Sequence, residues 1–408
     1  MSESKDVVVI GAGLSGLMGA IESARRGLSV LVLEGAPQIG ARYCYTGMGA
    51  APVSNVGMAV DRFHGRNARF VDDAISAFAL PELRDWFHRE DVALQDAPYY
   101  GLVQPVESGP SVVAALLHAL TEAGGEVETD ARVHNVVRAG NGFECALADR
   151  PPIRSSRLIL ATGAPNLPQL GGEYPDLAAA LGHTPGPRFP ALVPVTVAEA
   201  WPRTLAGLWM DVDLRLYSGR HTLAESTGSM LFTSGALTGE AVFNISREVE
   251  PGLARGEELE LAVNFHPGME RDDVREWLRR VFGERTREHS DTALDFIVPR
   301  RLGEAMLEHQ KVKPGARVMQ LSESQREGLL REMTDTRLCV TGTLGMRAAE
   351  SATGGINVRE VDPRSFASKL TPGLYVVGRA LDVSADWGGF EQHFALASGR
   401  LAGISLPQ

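Results

Sequence analysis

Gly11, Gly13 and Gly16 fall within one six-residue stretch, GAGLSG, and Glu34 follows Gly13 by 21 positions. Those residue types at that spacing suit the binding of a dinucleotide. Gly11 permits a tight turn, Gly13 lets the backbone approach a pyrophosphate, and Gly16 lets a helix pack on a strand. A helix opening at the turn offers unpaired N–H groups to the phosphates. A carboxylate at Glu34 accepts hydrogens from both ribose hydroxyls and would clash with a 2′-phosphate, which disfavours NADP at this site. The elements that must hold these residues are legible around them. Residues 6–10, DVVVI, read as a short buried parallel strand. Leu17, Ala20, Ile21 and Ala24 have helical spacing, and the run stops at Gly27. LSVLVLE reads as a second buried strand ending at Glu34. A lone GxGxxG is a weak signal, but strand, turn, helix, strand and acid in register specify a dinucleotide fold.

The far end of the chain narrows the choice of dinucleotide. GLYVVG (373–378) is another apolar strand, followed by RALDVSADWGG and a helical stretch, FEQHFALASGRLAG. A helix beginning at Gly388–Gly389 aims its positive end at a ligand. Reduced flavin carries negative charge near N1 and O2, which such an end stabilises. RLILATGA (157–164) is a strand ending in a small-residue turn. The three segments together point to FAD rather than NAD. No second GxGxxG follows a strand, so a dedicated nicotinamide domain is absent and any NAD(P)H must use the substrate side of the flavin.

Composition excludes several classes. The chain has 408 residues, 44% hydrophobic and 22% charged, with a formal net charge of −11. An acidic surface repels phosphate backbones and anionic lipids, so neither nucleic acid nor a membrane is expected as partner; a small molecule is. No apolar run approaches the roughly 18–20 residues of a membrane span. The first residues have no secretory pattern. Cys44, Cys145 and Cys339 are far apart without CxxC, and the ten histidines show no ligand spacing, so no metal is expected. Reduced thiols suit a cytoplasmic protein.

Residues 65–120 read as helices, with Ser111 as a cap for the last, and 126–162 as a β-meander with a hairpin at 139–142. PRFPALVPV (187–195) reads as a linker. Short alternating strands follow, then helical stretches, and RLCVTGT (337–343) reads as the strand returning to the first domain. The expected fold class is α/β. A discontinuous Rossmann-like FAD domain (1–193 and 343–408) carries an insert (194–342), β-barrel-like over 194–268 and helical over 269–336. Substrate is expected at the junction of insert and flavin.

On these segments the chain resembles the BaiN-like bacterial flavoproteins, FAD-dependent oxidoreductases with one Rossmann-like domain and a barrel-plus-helix insert. GAGLSGLMGAIESARRG with Glu34 is similar to the family's opening, and RFHGRNARFVDDAISAF (62–78) to its first helical stretch. HTPGPRFPALVPV (183–195) resembles the entry to the insert, and LFTSGALTGEAVFNISR (231–247) its LFT motif. The run at 340–383, with TGG and GLYVVGRALDV, is the most similar stretch. The resemblance implies FAD, a redox reaction and often reduced nicotinamide as donor. Family members include reductases of conjugated enones on steroid-like acids and an oxidase of an aminoketone. It places Gly11, Gly13, Gly16, Glu34, Arg42, Gly47, Thr162, Gly163, Gly378, Asp382 and Gly389 on the cofactor side. Their neighbours Ala12, Leu14, Ser15, Gly35, Ala161 and Phe390 go with them, and the Val133 backbone is placed at the adenine.

The chain also departs from the family pattern. TGMGAAPVSN (46–55) keeps Gly47, Gly49 and Asn55 of the usual SGGGRCNVTN, with Ala50 and Ala51 in place of Arg and Cys. Gly378–Arg379 stands where members have GE, and GGFEQHFA where they have GGYNLQWA. Polar groups near the flavin have been rearranged, which implies a substrate unlike the steroid-type acids.

Four residues are candidates for chemistry. His393, about one turn into the helix facing the flavin and with an ordinary pKa of ~6.5, suits a general acid. Glu391 and Arg379 either pair or bind substrate charge. Tyr45 can donate a proton to an enolate or form an aromatic wall. The expected reaction is hydride transfer through flavin N5, with NAD(P)H-dependent reduction of an activated C=C bond as the first reading. Oxidation of an amine or alcohol carbon, or flavin binding without catalysis, are the alternatives.

Overall fold

Val7, Val8, Val9 and Ile10 are wholly buried because the strand Ser4–Ile10 lies inside a sheet with parallel neighbours on both sides, Val30–Leu33 and Ile153–Leu160. The structure is a computed structural model that describes residues 4–45, 51–148, 150–164 and 177–407. The chain forms two compact units, Met1–Ala191 with Ala349–Gln408, and Leu192–Ala348.

In the first unit Ile10 pairs in register with Leu33 and with Leu160, and Leu160 with Val376 of the strand Leu374–Val376. Four parallel strands therefore end at one edge, and the turns leaving them start side by side. Ligands of open parallel sheets bind off this carboxyl edge. The meander expected over 126–162 is divided. Val133–Ala139, Gly142–Leu147 and Ile153–Leu160 form it, whereas Glu126–Glu128 pairs in parallel with Val30–Leu33 on the other side of the sheet. The helix Gly109–Glu122 precedes Glu126 and supplies the crossover that a parallel strand requires. Ser108 rather than Ser111 holds the N-cap position of that helix, and its side chain makes no capping hydrogen bond. Pro110 is tolerated in the first turn, where its missing N–H has no intrahelical acceptor anyway, so the helix starts earlier than expected.

The helix Leu14–Ala24 packs along the C-terminal helix Phe390–Ser405 at backbone distance. A Cβ at Gly399 would lie 2.1 Å from the Ser15 carbonyl oxygen, and one at Gly403 2.6 Å from that of Gly19. Gly389, with φ +95°, caps the C-terminal helix, and a Cβ there would meet the Ser54 carbonyl at 2.4 Å.

The second unit is built on a closed barrel of six strands: Val195–Val197, Leu237–Thr238, His221–Phe232, Trp209–Ser218, Leu259–Asn264 and Thr336–Thr343. Val212, Leu214 and Leu216 alternate inward with Leu261 and Val263 of the neighbouring strand. Helices Arg271–Glu284, Arg300–His309 and Glu323–Asp335 follow. Residues 337–343 do not return to the parallel sheet. They close the barrel between Leu259–Asn264 and Val195–Val197, because their burial alternates as a barrel strand's must. The α/β class with a Rossmann-like unit and a barrel-plus-helix insert is what the chain adopts. Among the described residues no helix is long and apolar enough to cross a membrane.

Candidate functional site

The turns at the carboxyl edge of the sheet line an open cavity with about 1160 Å³ of empty space, solvent at its mouth included. One side is the glycine turn. Gly11 holds φ +105°, and a Cβ on it would lie 2.4 Å from the Ala161 carbonyl oxygen. A Cβ on Gly16 would lie 1.9 Å from the Gly11 carbonyl oxygen. Gly13 differs: a Cβ there meets nothing within 4 Å, although the residue lines the cavity and caps the helix Leu14–Ala24. No side chain caps that helix end and no acid lies in its first turn. The turn thus leaves open space in front of a positive helix end, the environment a pyrophosphate requires.

Glu34 lies beside it. Its Oε2 accepts from the Ala12 N–H at 2.7 Å and its Oε1 from the Ala36 N–H at 2.9 Å. The carboxylate ties the ends of two strands together and is fixed at the cavity wall. Arg42 donates to the Ala164 carbonyl, linking the segment after Gly40 to the turn after the strand Ile153–Leu160. The Tyr43 hydroxyl donates to the Ala51 carbonyl at 2.6 Å. Tyr45 lines the cavity and is 53% exposed. Burial pushes the Cys44 thiol up, which keeps it a protonated, inert group.

The opposite wall carries charge. Arg379 Nε lies 3.2 Å from Glu391 Oε2. The Ser351 hydroxyl donates to the Glu391 carboxylate at 2.7 Å and accepts from Arg379 Nη2 at 3.0 Å. The Ala385 N–H donates to Glu391 at 3.2 Å. Next to this group the Trp387 indole donates to Glu350 at 3.0 Å.

Of the residues expected from sequence, Gly11, Ala12, Gly13, Leu14, Ser15, Glu34, Arg42, Tyr45, Ala161, Thr162, Gly163, Arg379 and Glu391 line this one cavity. Gly47 lies outside the described residues. Others stand behind the wall. Gly16 packs under the turn, and Gly35 follows Glu34 outside the lining. Gly378 abuts Ser15, where its Cβ would come within 2.6 Å of the hydroxyl. Asp382 faces Arg66 at 3.7 Å. Phe390 packs edge-on to Phe63, and Val133 is fully buried in its strand.

His393 requires a correction. It was expected as a general acid facing the flavin, but its ring is wholly buried and does not line the cavity. Nε2 lies 2.8 Å from the Phe78 carbonyl, which only accepts, so Nε2 carries the proton. Nδ1 lies 2.7 Å from the Ser54 hydroxyl and accepts from it. Burial holds the imidazole well below its usual range, at about 4. Sequence reading also missed Glu350, Ser351 and Gln392 in the cavity wall. Gln392 was within reach, because it adjoins Glu391. Glu350 and Ser351 had no local signal. Among the described residues no group of three or more His, Cys, Asp or Glu could hold a metal.

The family model described as HI0933-like protein Rossmann domain matches residues 5–405. A 3-dehydro-bile acid delta(4,6)-reductase of Clostridium scindens is 31% identical over 400 residues, covering 97% of each chain. A ribosomal RNA dihydrouridine synthase of Escherichia coli is 24% identical, covering 97% of this chain and 96% of that protein. In the fold, the chain is similar to a 3-ketosteroid delta1-dehydrogenase from Sterolibacterium denitrificans, with a TM-score of 0.50 and 12% identity over 98% of this chain and 99% of that one.

Proposed function

This chain belongs to the HI0933-like Rossmann family and is an FAD-dependent oxidoreductase, and on that premise we propose that it reduces a C=C bond conjugated to a carbonyl in a small organic molecule, with NAD(P)H as donor. The observation that carries the reading is the single cavity joining an open glycine turn, a fixed Glu34 and a polar far wall. FAD, when bound, supplies two-electron hydride chemistry.

The residues present fit that cofactor. The space over Gly13 and the end of the helix Leu14–Ala24 would receive the pyrophosphate. Glu34 would accept from the adenosine ribose, and Arg42 fixes the turn at Thr162–Gly163 against the segment carrying Tyr45. Glu391 is held by Ser351, Ala385 and Arg379, so it orients neighbours rather than delivering a proton. Tyr45, half-exposed in the wall, would supply the proton that saturating the C=C bond requires. His393 packs the core behind the site.

The two relatives support the bond type, since a delta(4,6)-reductase and a dihydrouridine synthase both saturate a C=C bond. The net charge of −11 opposes a phosphate backbone and favours a small-molecule substrate over RNA. The free thiols Cys44, Cys145 and Cys339 suit a reducing cytoplasm.

Anaerobic mixing of the flavin-loaded protein with NADH or NADPH tests the reading. Rapid bleaching of the flavin, reversed by an enone, is the expected result. A flavin that stays oxidised with both nucleotides but bleaches with an amine or alcohol would replace the reductase by an oxidase.

A further inference from the structure

Glu391, Gln392 and Ala395 line the cavity from one stripe of the C-terminal helix, about 100° wide. Glu391 is engaged by Ser351, Ala385 and Arg379, and Ala395 brings no polar group. Gln392 is half-buried, and its carboxamide makes no hydrogen bond among the described residues. It is not sealed in the core: its amide atoms keep accessible surface on the cavity wall, where a ligand can reach them.

Its neighbours fix which part of a dinucleotide it would meet. A Cβ on Gly378 would lie 2.6 Å from Ser15 Oγ and 3.8 Å from the Ala395 Cβ. Ala395 therefore stands beside the first turn of the glycine-turn helix, at the pyrophosphate end. Gln392 is three residues nearer the helix start, about 4.5 Å along the axis, and beyond it lies the Glu391 cluster. Ser15 is 6% exposed and lines the cavity, and its hydroxyl also has no partner among the described residues. Two unmet polar groups from two helices thus border one stretch of cavity, just past the pyrophosphate position. In FAD that stretch corresponds to the ribityl chain, a run of hydroxyls that each donate and accept. A carboxamide offers both a donor and an acceptor to such a chain.

We propose that the Gln392 carboxamide is a ligand of the ribityl chain of FAD. The pattern GGYNLQWA carries leucine where this chain has Gln392. The contact is therefore an addition that tightens cofactor binding rather than one that makes it possible. The inference rests on FAD occupying this cavity and not on the C=C reaction.

The test is titration of the apoprotein, without substrate or nicotinamide, with three probes: FAD, ADP, and an FAD analogue carrying a plain five-carbon chain in place of ribityl. Gln392→Leu nearly keeps the side-chain volume and is expected to fold. It should weaken FAD binding about 3- to 10-fold, the scale of one neutral hydrogen bond, and leave the affinities for ADP and for the analogue at their wild-type values. Gln392→Ala, which adds no apolar bulk to the wall, should show the same pattern. Unchanged FAD affinity in both variants would overturn the proposal. An equal loss for FAD and the analogue would overturn it by moving the contact to the isoalloxazine, and a matching loss for ADP by moving it to the pyrophosphate. A wild-type protein that binds ADP but not FAD would instead refute the cofactor reading on which the proposal rests.

Discussion

The Ser54 hydroxyl and the His393 imidazole lie 2.7 Å apart in the core, with the hydroxyl donating to Nδ1 while Nε2 donates to the Phe78 carbonyl. Burial, rather than hydrogen-bond geometry, keeps the ring neutral: the hydroxyl could turn to accept from a protonated Nδ1, but the positive charge would sit where no water reaches.

A dependence of stability on pH follows. The folded pKa of His393, about 4, lies below the unfolded value of ~6.5. The unfolded chain binds more protons between those values, so the contribution is fully present above pH ~6.5 and is lost as pH falls through the folded pKa. The loss is on the order of 3 kcal/mol. Urea unfolding at a series of pH values should show it, and His393→Gln, neutral throughout, should flatten the acid limb. An unchanged acid limb in the variant would assign the effect to other groups. His393→Ala should lower stability and not merely turnover, since it opens a cavity and leaves Ser54 and Phe78 without their partner.

The contrast between His393 and Glu391 shows why part of the site was legible in sequence and part was not. The glycine turn, its helix and Glu34 are contiguous, and their job follows from local spacing. The helix starting after Gly389 was legible as well, but not which of its faces looks into the cavity. His393 is two residues beyond Glu391, about 200° further round the helix axis. If Glu391 reaches the wall, His393 must point into the core. Ser351 depends on pairing between Phe189–Ala191 and Ser351–Thr353, two segments separated by the whole second unit. No local pattern carries that information. The strand Thr336–Thr343 was misplaced for the related reason that a barrel strand and a returning sheet strand read alike until their partners are known.

Two glycines in one motif should fail in different ways. A side chain on Gly13 meets no protein atom within 4 Å, so Gly13→Val should fold with near wild-type stability and lose FAD, its methyls filling the pyrophosphate position. Gly16→Ala drives a Cβ to 1.9 Å from the Gly11 carbonyl oxygen and should destabilise the unit itself. Thermal unfolding and flavin release, measured on both variants, separate the effects. A destabilised Gly13→Val would mean that the open space is not a ligand cradle.

Tyr45→Phe removes one oxygen from a half-exposed residue of the cavity wall. FAD content and the rate of flavin reduction by NAD(P)H should be unchanged. Reoxidation of the reduced flavin by an enone should slow about 10²-fold or more, the usual scale for a lost general acid. Stopped-flow absorbance resolves the two half-reactions. Equal reoxidation rates would leave Tyr45 as an aromatic wall.

Every residue lining the cavity belongs to the first unit. That unit is also arranged to survive without the insert. Ala191, its last residue before the second unit, pairs with Ser351, two residues past the point where the chain re-enters at Ala349. The antiparallel pairing holds Ala191 and Ser351 a strand's width apart, roughly 5 Å, and leaves the cut end at Ala349 only two residues beyond that pair. A two- to five-residue glycine-containing loop spans that gap as an ordinary hairpin turn. Replacing residues 192–348 by such a loop should therefore give a protein that folds cooperatively and binds ADP with wild-type affinity, since the glycine turn and Glu34 are retained. Calorimetric titration with ADP and a single thermal transition are the expected observations. A deletion protein that folds but does not bind ADP would show that the dinucleotide site is not complete within this unit.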